Sequence, residues 1–487
     1  MHAKRTLSRQ PKSWQLLNPD EYVSPPMQSR ALVALMLCGS LLLSGCAAFR
    51  SYETELTQTN LHLQSGNVDA ALALLEKNNT GENKDLLYYF EKGELLRSKG
   101  DLQGSLEAWA LADRQVFEWE EAVRSDPAKY LAEFGSFLVN DRVRRYEGYD
   151  YEKVMLTTQM AINHLALGDF EAARVEIKKT HEREALIADL RDKEYLKREE
   201  EAEKQGITAE FKDLQGYPVE SLNAPEVISL KNSYQSAFSH YLSGYVYEAL
   251  GERGMAAPGY RKAAELLPET PLLEQALLDL DKPQARSEDE SEVLLVVQAG
   301  LAPARNSIRI PLPIPTSDGL IITPLSFPVI KADDSTAAFS NLLLDDQTLA
   351  LTELNSIEAM SRRALRDDMP GIILRTSVRA ATRSVAQKQL NEVNPLAGLA
   401  VGLASAITEG ADERTWRTLP DSTQIARLRL KKGEHVLQIA NSQVRLKIDQ
   451  NYQVIPLRLI GNQIFTSGNA ALIPQVPLPA VAQANSL

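Results

Sequence analysis

Cysteine is the residue type in this chain whose position most directly indicates a chemical modification. The 487 residues include only two cysteines, Cys38 and Cys46, both close to the N-terminus. Two thiols are too few for a disulfide framework or a cysteine-based metal site. Cys46 follows Ser44 and Gly45 at the end of an apolar run, residues 31–43. These small neighbours leave the bond before Cys46 open to a peptidase, so the spacing predicts processing at this thiol.

The segment Leu43-Ser44-Gly45-Cys46 matches the lipobox of bacterial lipoproteins. The apolar run before it is too short to span a bilayer but fits the apolar region of a secretory signal, with Arg30 as its basic flank. Residues 1–45 are therefore predicted to be a removed signal peptide, and Cys46 a lipidated N-terminus held by several acyl chains. A signal peptide with an incidental cysteine, or a buried helix, is the alternative.

The residues around the lipobox bear on location and on the start of the chain. Ala47, and not aspartate, follows the cysteine, which by resemblance to Gram-negative sorting favours the outer membrane and a chain facing the periplasm. Residues 1–26 are polar and contain Pro11, Pro25 and Pro26. Signal peptides usually start close to their basic flank, so Met27 is a better start than the first residue. A signal peptide with an unusually long N-terminal region before its apolar run is the alternative.

No other motif in the sequence predicts catalysis. A Gly-x-Ser-x-Gly elbow, a P-loop and a Rossmann fingerprint after a strand are absent. The segment His181-Glu182-Arg183-Glu184 lacks the second histidine of a zincin motif. A net charge of −12 argues against a nucleic-acid partner. The sequence thus predicts no enzyme, no cofactor and no metal site, and the histidines of the helical half are expected at the surface or in the core: His62, His164, His181 and His240.

Four short phrases in the helical half place a glycine at related intervals. Gly66 and Gly100 are 34 residues apart, and Gly168 follows Gly100 after 68, twice that distance. Thirty-four residues is the period of the tetratricopeptide repeat (TPR). Together with Gly251, this spacing predicts a TPR-like helical repeat domain over residues 46–280, with a degenerate repeat around 126–139. A generic array of helical hairpins is the alternative.

Small and aromatic residues recur in phase with these glycines. A small residue lets the two helices of a hairpin approach closely, an aromatic residue fills the space between repeats, and a proline ends the second helix. The predicted packing positions, besides the turn glycines, are Ala71, Gly93, Ser105, Trp109, Ala161, Ala173, Gly244, Tyr247, Ala256, Tyr260, Ala263 and Pro268.

The hydrophobic period changes towards the C-terminal half. From Asp169 the helical pattern continues to about Gln205 and becomes highly charged, which predicts a solvated helix projecting from the array, with a coiled-coil arm as the alternative. Residues 281–292 are polar and predict a linker. Residues 293–475 then alternate apolar and polar residues in short segments with tight turns, which predicts a β-rich domain built on a small β-sandwich.

A helical insertion is expected at about 355–410 within this β-rich domain. Pro370 is predicted to be the first residue of its helix. Residues 396–407 are apolar and rich in glycine and alanine, which favours a tightly buried helix over membrane insertion. Residues 476–487 are predicted to be a disordered tail. One face of the helix carries an arginine every four residues, interpreted as a solvated face, with a partner-facing ridge as the alternative: Arg375, Arg379 and Arg383.

Several phrases combine into a resemblance. With the lipobox, they are AINHLALGDFEAA, YLSG, AGLAP, PGIILR and ADERTWRTLP, which begin at residues 161, 241, 299, 370 and 411. The set resembles a family of uncharacterised proteobacterial TPR-containing outer-membrane lipoproteins, over most of the mature chain. Members of that family tend to accompany lipoproteins that regulate peptidoglycan synthesis, which implies a cell-envelope role. The resemblance carries over no activity residue by residue.

The sequence as a whole predicts an α+β chain, with an N-terminal TPR-like α-solenoid followed by a mixed, β-rich C-terminal domain. The predicted function is a membrane-anchored periplasmic scaffold or adaptor whose TPR groove binds an envelope protein or peptide. The first alternative is a structural subunit of an envelope secretion or assembly complex. The second is a cell-wall-acting enzyme in the C-terminal half.

Overall fold

Helices and strands can be followed through most of the chain after residue 51. The predicted signal peptide, Cys46, the apolar segment 396–407 and the tail 476–487 lie outside the described residues. Within the described ranges, no helix is both long and apolar enough to cross a membrane. The computed structural model describes residues 52–134, 145–205, 216–282, 286–316, 319–336, 342–393 and 411–474.

The helices before residue 282 form successive antiparallel hairpins. Hairpins 1 to 4 are α1–α2, α3–α4, α6–α7 and α10–α11, and each first helix also packs on the second helix of the preceding hairpin. The bounds are α1 Tyr52–Gln64, α2 Val68–Asn78, α3 Leu86–Ser98, α4 Leu102–Ser125, α5 Pro127–Phe134, α6 Asp150–Ala166, α7 Phe170–Gln205, α8 Val219–Leu222, α9 Pro225–Ile228, α10 Ala237–Ala249, α11 Arg253–Leu266 and α12 Pro271–Asp281.

The turn glycines adopt the backbone conformation that the hairpins need. Gly66, Gly100, Gly168 and Gly251 all have φ between +78° and +87°, a left-handed conformation that side chains disfavour. The residue after each of the first three glycines then caps the next helix. Asp101, for example, accepts a hydrogen bond from the backbone N of Gly104 at 2.8 Å. The glycine and the polar residue after it thus end one helix and start the next.

The longer interval between Gly100 and Gly168 is an excursion from the array. Helix α4 continues to Ser125, and the short α5 packs against α4. Helix α6 packs directly on α4, as α3 packs on α2 and α10 on α7, so hairpins 2 and 3 are neighbours. In the described part, the extended α4 and α5 therefore stand where the degenerate repeat was predicted. The predicted long helix is confirmed as α7, Phe170–Gln205.

Within the described residues, the strands form two five-stranded sheets and one two-stranded arm. Sheet A has the order β11-β10-β1-β7-β6, sheet B the order β12-β9-β8-β4-β5, and β2 pairs with β3 in the arm. In sheet A, β1 is parallel to β10 and antiparallel to β7. The bounds are β1 Glu290–Ala299, β2 Ala304–Thr316, β3 Gly319–Lys331, β4 Leu342–Leu344, β5 Gln347–Leu349, β6 Thr352–Ser356, β7 Ser422–Lys431, β8 Gly433–Ile439, β9 Ser442–Ile448, β10 Tyr452–Ile460, β11 Gln463–Thr466 and β12 Ala470–Ile473.

Sheet A is the middle layer between the helices and sheet B. Val293, Leu295 and Val297 of β1 belong to the core between the two sheets. Leu294 and Val296 of the same strand belong to a core shared with α6, α10 and α11. Because β1 is buried on both faces, its sequence is a continuous apolar run rather than an alternating one.

The predicted helical insertion is α13, Ile357–Val393, which packs on the β2–β3 arm. The prediction that Pro370 begins this helix is wrong, because Pro370 lies inside it. The helix starts earlier because Asp421 accepts a hydrogen bond from the backbone N of Glu358 at 2.6 Å. Apolar residues on both sides of Pro370, such as Met369 and Ile372, then pack on the arm and hold the helix together.

The described chain contains 54% helix and 22% strand, which confirms a mixed α and β fold. The residues from Ser51 onward form one compact unit. Helix α12 ends at Asp281 and β1 begins at Glu290, within the predicted linker 281–292. The two parts share buried cores, and their division into separate helical and β-rich domains stays a prediction.

Candidate protein-interaction surfaces

Two faces of the helical array are candidates for binding a partner. In repeat arrays such as TPR proteins, stacked helix pairs create an extended concave surface that binds partners. Here we call the side formed by the first helices α3, α6 and α10 the inner face. The side formed by the second helices α4 and α7 is the outer face. The two faces differ in what covers them.

Sheet A covers the inner face at α10. The Tyr245 hydroxyl donates hydrogen bonds to the carbonyl oxygens of Glu292, at 2.7 Å, and Gln453, at 3.2 Å. Burial raises the pKa of this hydroxyl well above its usual value, so it remains a donor. Nearby, the carboxylate of Glu248 accepts a hydrogen bond from Nη1 of Arg427 at 3.1 Å. The fourth hairpin is therefore joined to both β1 and β7.

A segment of the chain itself covers the inner face at α3 and α6. We call residues 411–421, which connect the α13 region to β7, the strap. Its Trp416 is fully buried and stacks on Phe90 of α3, with ring centroids 4.5 Å apart. The same indole meets the ring of Trp109 edge-on at 5.8 Å. The strap thus inserts its aromatic residue between helices of the second hairpin.

Two buried glutamates bind the backbone of the strap. Glu152 accepts hydrogen bonds from the backbone N of Trp416 at 2.7 Å and from the Thr415 hydroxyl at 3.0 Å. Glu91 accepts from the backbone N of Arg417 at 2.6 Å and of Thr418 at 3.2 Å. Burial raises the pKa of Glu91 to about 7, against the opposing effect of these hydrogen bonds. The inner face therefore recognises a peptide, and that peptide belongs to the same chain.

Two arginines fasten the strap to its surroundings. Arg417 donates through Nη1 to Glu53 of α1 at 3.0 Å and through Nε to the carbonyl oxygen of Ala302 at 3.0 Å. Arg458 of β10 donates through Nη2 to the carbonyl oxygen of Thr418 at 3.1 Å. Burial lowers the pKa of Arg458 to about 10, which leaves it charged at neutral pH. The predicted partner groove is thus filled by the strap and sheet A.

The predicted packing positions lie inside the hairpins. A Cβ at Gly93 would come within 2.2 Å of the Trp109 ring, and one at Gly244 within 2.5 Å of the Tyr260 ring. The Ser105 hydroxyl accepts a hydrogen bond from Asn163 at 2.9 Å. Pro268 is exposed just beyond the end of α11. The remaining positions are buried: Ala71, Ala161, Ala173, Tyr247, Ala256 and Ala263.

The predicted arginine ridge lies on α13. Arg375 and Arg379 are half-buried there, and Nη2 of Arg379 lies 3.4 Å from the Thr376 hydroxyl. The side chain of Arg383 lies outside the described residues. Arg375 and Arg379 are not among the described residues that line the outer groove.

The outer face has a groove of about 500 Å³ between α4 and α7. An ion network forms its walls. Arg183 donates to Glu120 at 2.6 Å and to Asp113 at 2.8 Å. Lys179 bridges Asp113 and Glu176, at 3.0 Å from each. Because these charges pair with one another across the two helices, the walls hold a fixed shape.

Other groups of the groove are available to a partner. Phe117 is 52% exposed at its edge, and Arg114 and Glu182 are exposed beside it. Oε2 of Glu176 is buried and has no hydrogen-bond partner within the described protein. Burial raises the pKa of Glu176, which Lys179 opposes. The groove can therefore accept an apolar side chain beside Phe117 and charged groups beside Arg114 and Glu182.

The sequence contains only a weak signal for these surfaces. The groove residues on α4 recur every three or four positions, as on one face of any helix, so they form no distinctive motif. The strap coincides with the phrase ADERTWRTLP, which contributed to the family resemblance, but the phrase does not indicate what it contacts. In the described ranges, no group of three or more histidine, cysteine, aspartate or glutamate residues is arranged to hold a metal ion.

No protein-family model and no curated protein matches the chain. Among solved structures it is similar to PilW, a widely conserved type IV pilus biogenesis factor, at 12% identity and a TM-score of 0.14, over 46% of this chain and 97% of that one. It is also similar to a TPR protein from Parabacteroides merdae (14%, TM-score 0.13, 47% and 99%) and to Acl4, an assembly chaperone of RpL4 (14%, TM-score 0.16, 48% and 85%). TM-scores this low do not show a shared fold. The TPR-like description therefore depends on the hairpins and their turn glycines.

Proposed function

We propose that this protein is a lipid-anchored scaffold of the cell envelope that binds a partner protein through its outer groove. The observation that carries the proposal is the contrast between the two faces of the array. The inner face is filled by the strap and sheet A, whereas the outer groove presents Phe117, Arg114 and Glu182. The β-sandwich then serves to hold the array rigid.

The lipobox supports an anchor at Cys46, on the periplasmic face of the outer membrane. Tyr52, where α1 begins, follows six residues later, and six residues reach at most about 20 Å in any conformation. The array would therefore stay close to the membrane surface, where envelope proteins are its available partners. A role in regulating peptidoglycan synthesis follows from the family resemblance alone. We propose no catalytic activity, because the two buried glutamates of the inner face, Glu91 and Glu152, bind the strap.

Site-specific photocrosslinking in cells tests the partner surface. A photoreactive residue at Phe117 is expected to give a discrete adduct with one envelope protein, and Arg114→Glu is expected to abolish it. The same photoreactive residue at Leu278, which is exposed on α12 at 61%, serves as the matched control. Equal adducts at both positions, or none at Phe117, would contradict binding at the groove.

The anchor is tested separately. Cys46→Ala is expected to remove palmitate labelling and to release the protein from the membrane fraction. A Cys46→Ala variant that still labels with palmitate would show that the anchor assignment is wrong, whatever the crosslinking result.

A further inference from the structure

Two histidines stack between the third and fourth hairpins. His181 of α7 and His240 of α10 have ring centroids 5.0 Å apart and an interplanar angle of 13°. Nε2 of His240 lies 3.0 Å from Oε2 of Glu184, which is on α7 one turn after His181. His240 and Glu184 are both more than nine-tenths buried. Sequence patterns do not predict that these two histidines stack, because they lie on different helices.

The hydrogen bonds of this cluster are incomplete. Nε2 of His181, Nε2 of His240 and Oε1 of Glu184 are buried without a hydrogen-bond partner in the described protein. The His240–Glu184 contact thus has the distance of an ion pair without the alignment of a hydrogen bond. The side-chain amide of Gln235, just before α10, donates to Oε2 of Glu184 at 3.3 Å. The Glu184 carboxylate of α7 therefore contacts both His240 and Gln235.

The groups facing His181 determine how it responds to protons. Burial lowers the pKa of His181, and His240 lowers it further, while Glu184 on its own helix opposes both. From α6, the Thr158 hydroxyl bonds to Ser239 of α10 at 2.9 Å and Sδ of Met155 lies 4.0 Å from the same serine, so these two side chains bring no charge to α10. The Tyr234 hydroxyl before α10 has its pKa raised to about 12 by burial and stays neutral. Among the described residues, Glu184 is therefore the carboxylate that favours a positive charge on His181.

We propose that this cluster is a proton-operated joint between hairpins 3 and 4. A proton on His181 would place a positive charge about 5 Å from the stacked ring of His240, where burial and the neighbouring His240 both oppose it. Protonation of His181 therefore separates the rings and loosens α10 from α7. Since α10 carries Tyr245 and Glu248, which bind sheet A, the loosening reaches the β-sandwich. The inference does not depend on the proposed partner or on the lipid anchor.

The sign of the pH effect follows from the lowered pKa. The folded protein binds a proton at His181 less readily than the unfolded chain, in which the histidine pKa is 6.5. The stabilising contribution of neutral His181 is therefore complete above pH 6.5 and is lost as the pH falls below it. The joint is closed at neutral pH and opens in acid.

Amide hydrogen exchange of the full mature chain, measured by mass spectrometry at pH 7.5 and 5.0, tests the joint. After correction for intrinsic rates, exchange of α10 relative to α3 is expected to rise in acid. His181→Gln is expected to remove this rise. His62→Gln, at an exposed position on α1, is the control and is expected to keep it.

His181→Phe keeps an aromatic ring in the stack without a titrating group. It gives the same test if His181→Gln fails to fold. Loss of the acid-induced rise in either folded variant supports the joint. A rise that persists without His181, an equal rise in α3, or no rise in the unmodified chain overturns it.

Discussion

At the scale of single residues, buried carboxylates that accept backbone hydrogen bonds hold the strap in place. In the described residues, no lysine or arginine side chain donates a hydrogen bond to the carboxylates of Glu91 and Glu152, which accept from backbone N–H groups and hydroxyls instead. Such groups satisfy an anion without adding a second buried charge. Burial raises the pKa of both carboxylates, and this makes the attachment of the strap sensitive to pH.

The first prediction concerns Glu91. Its folded pKa, raised by burial from 4.5 to about 7, means that the folded protein binds this proton more readily than the unfolded chain. Its contribution to stability is therefore complete below pH 4.5 and is lost as the pH rises through 7. Glu91→Gln removes this pH dependence and also one hydrogen-bond acceptor, which lowers the free energy of unfolding by about 1–3 kcal/mol. In urea unfolding, the difference in free energy between the unmodified protein and Glu91→Gln is expected to shrink from pH 5 to pH 8.

The exposed Glu82→Gln is the control for this experiment and should leave the pH profile of the unmodified protein unchanged. A constant difference between the unmodified protein and Glu91→Gln across this range would show that Glu91 does not titrate in the folded state.

The second prediction concerns Trp416. Its ring is completely buried between Phe90 and Trp109, so Trp416→Ala leaves a large cavity. The free energy of unfolding is expected to fall by about 3–5 kcal/mol. Phe117→Ala, which truncates a half-exposed ring, should change it by less than about 0.5 kcal/mol. Similar losses in the two variants would show that the strap is not part of the core.

The sequence contains little information about these attachments. Trp416 is 264 residues from Glu152, and Arg417 is 326 residues from Glu91. Periodicity identifies partners a few positions apart, on one helix or across one turn. The packing of Gly93 on Trp109 was predictable because both positions belong to one hairpin. The binding of a peptide by two distant carboxylates was not.

At the scale of elements, each hairpin depends on close approach at a small residue. A Cβ at Gly244 of α10 would lie 2.5 Å from the Tyr260 ring of α11. That ring is held by a hydrogen bond from its hydroxyl to Oε2 of Glu248 at 2.7 Å, so it has little freedom to move. Gly244→Ala is therefore expected to destabilise the protein by about 1–3 kcal/mol.

Gly254 in α11 is the matched control for this prediction, because a Cβ there would meet no atom within 4 Å. Gly254→Ala is expected to stabilise the protein by up to about 1 kcal/mol, since alanine favours helix more than glycine. Thermal unfolding of the two variants should give shifts of opposite sign. Shifts of the same sign would show that the contact with Tyr260 relaxes easily.

Element boundaries were predictable where a local signal ends a helix or strand. The turn glycines and the residues that follow them act within a few positions, and β1 was recognisable as a continuous apolar run. The prediction from Pro370 was wrong because distant contacts override the local preference of proline for the start of a helix. Asp421, 63 residues away, caps the helix at Glu358, and packing on the arm compensates for the missing N–H.

At the scale of the whole molecule, the helical array and the β-sandwich share their buried surfaces. A core of residues from α6, α10 and α11 includes Leu294, Ile425 and Val454 of sheet A. The composition of residues 281–292 indicates a linker, and nothing in the local sequence shows that the segments on either side pack together. The mixed α and β class was predictable from periodicity, but the layering of helices on sheet A was not.

The last prediction tests whether the helical part folds alone. A fragment of residues 46–280 would expose Tyr241 and Tyr245 of the inner face and leave Glu91 and Glu152 without the backbone donors of the strap. Unpaired buried carboxylates and exposed apolar surface both oppose folding. Urea unfolding is therefore expected to be cooperative for the full mature chain, with coincident fluorescence and circular dichroism transitions, and broad for the fragment. A fragment that unfolds cooperatively at the midpoint of the full chain would establish residues 46–280 as an independent domain, with sheet A and the strap only resting on its inner face.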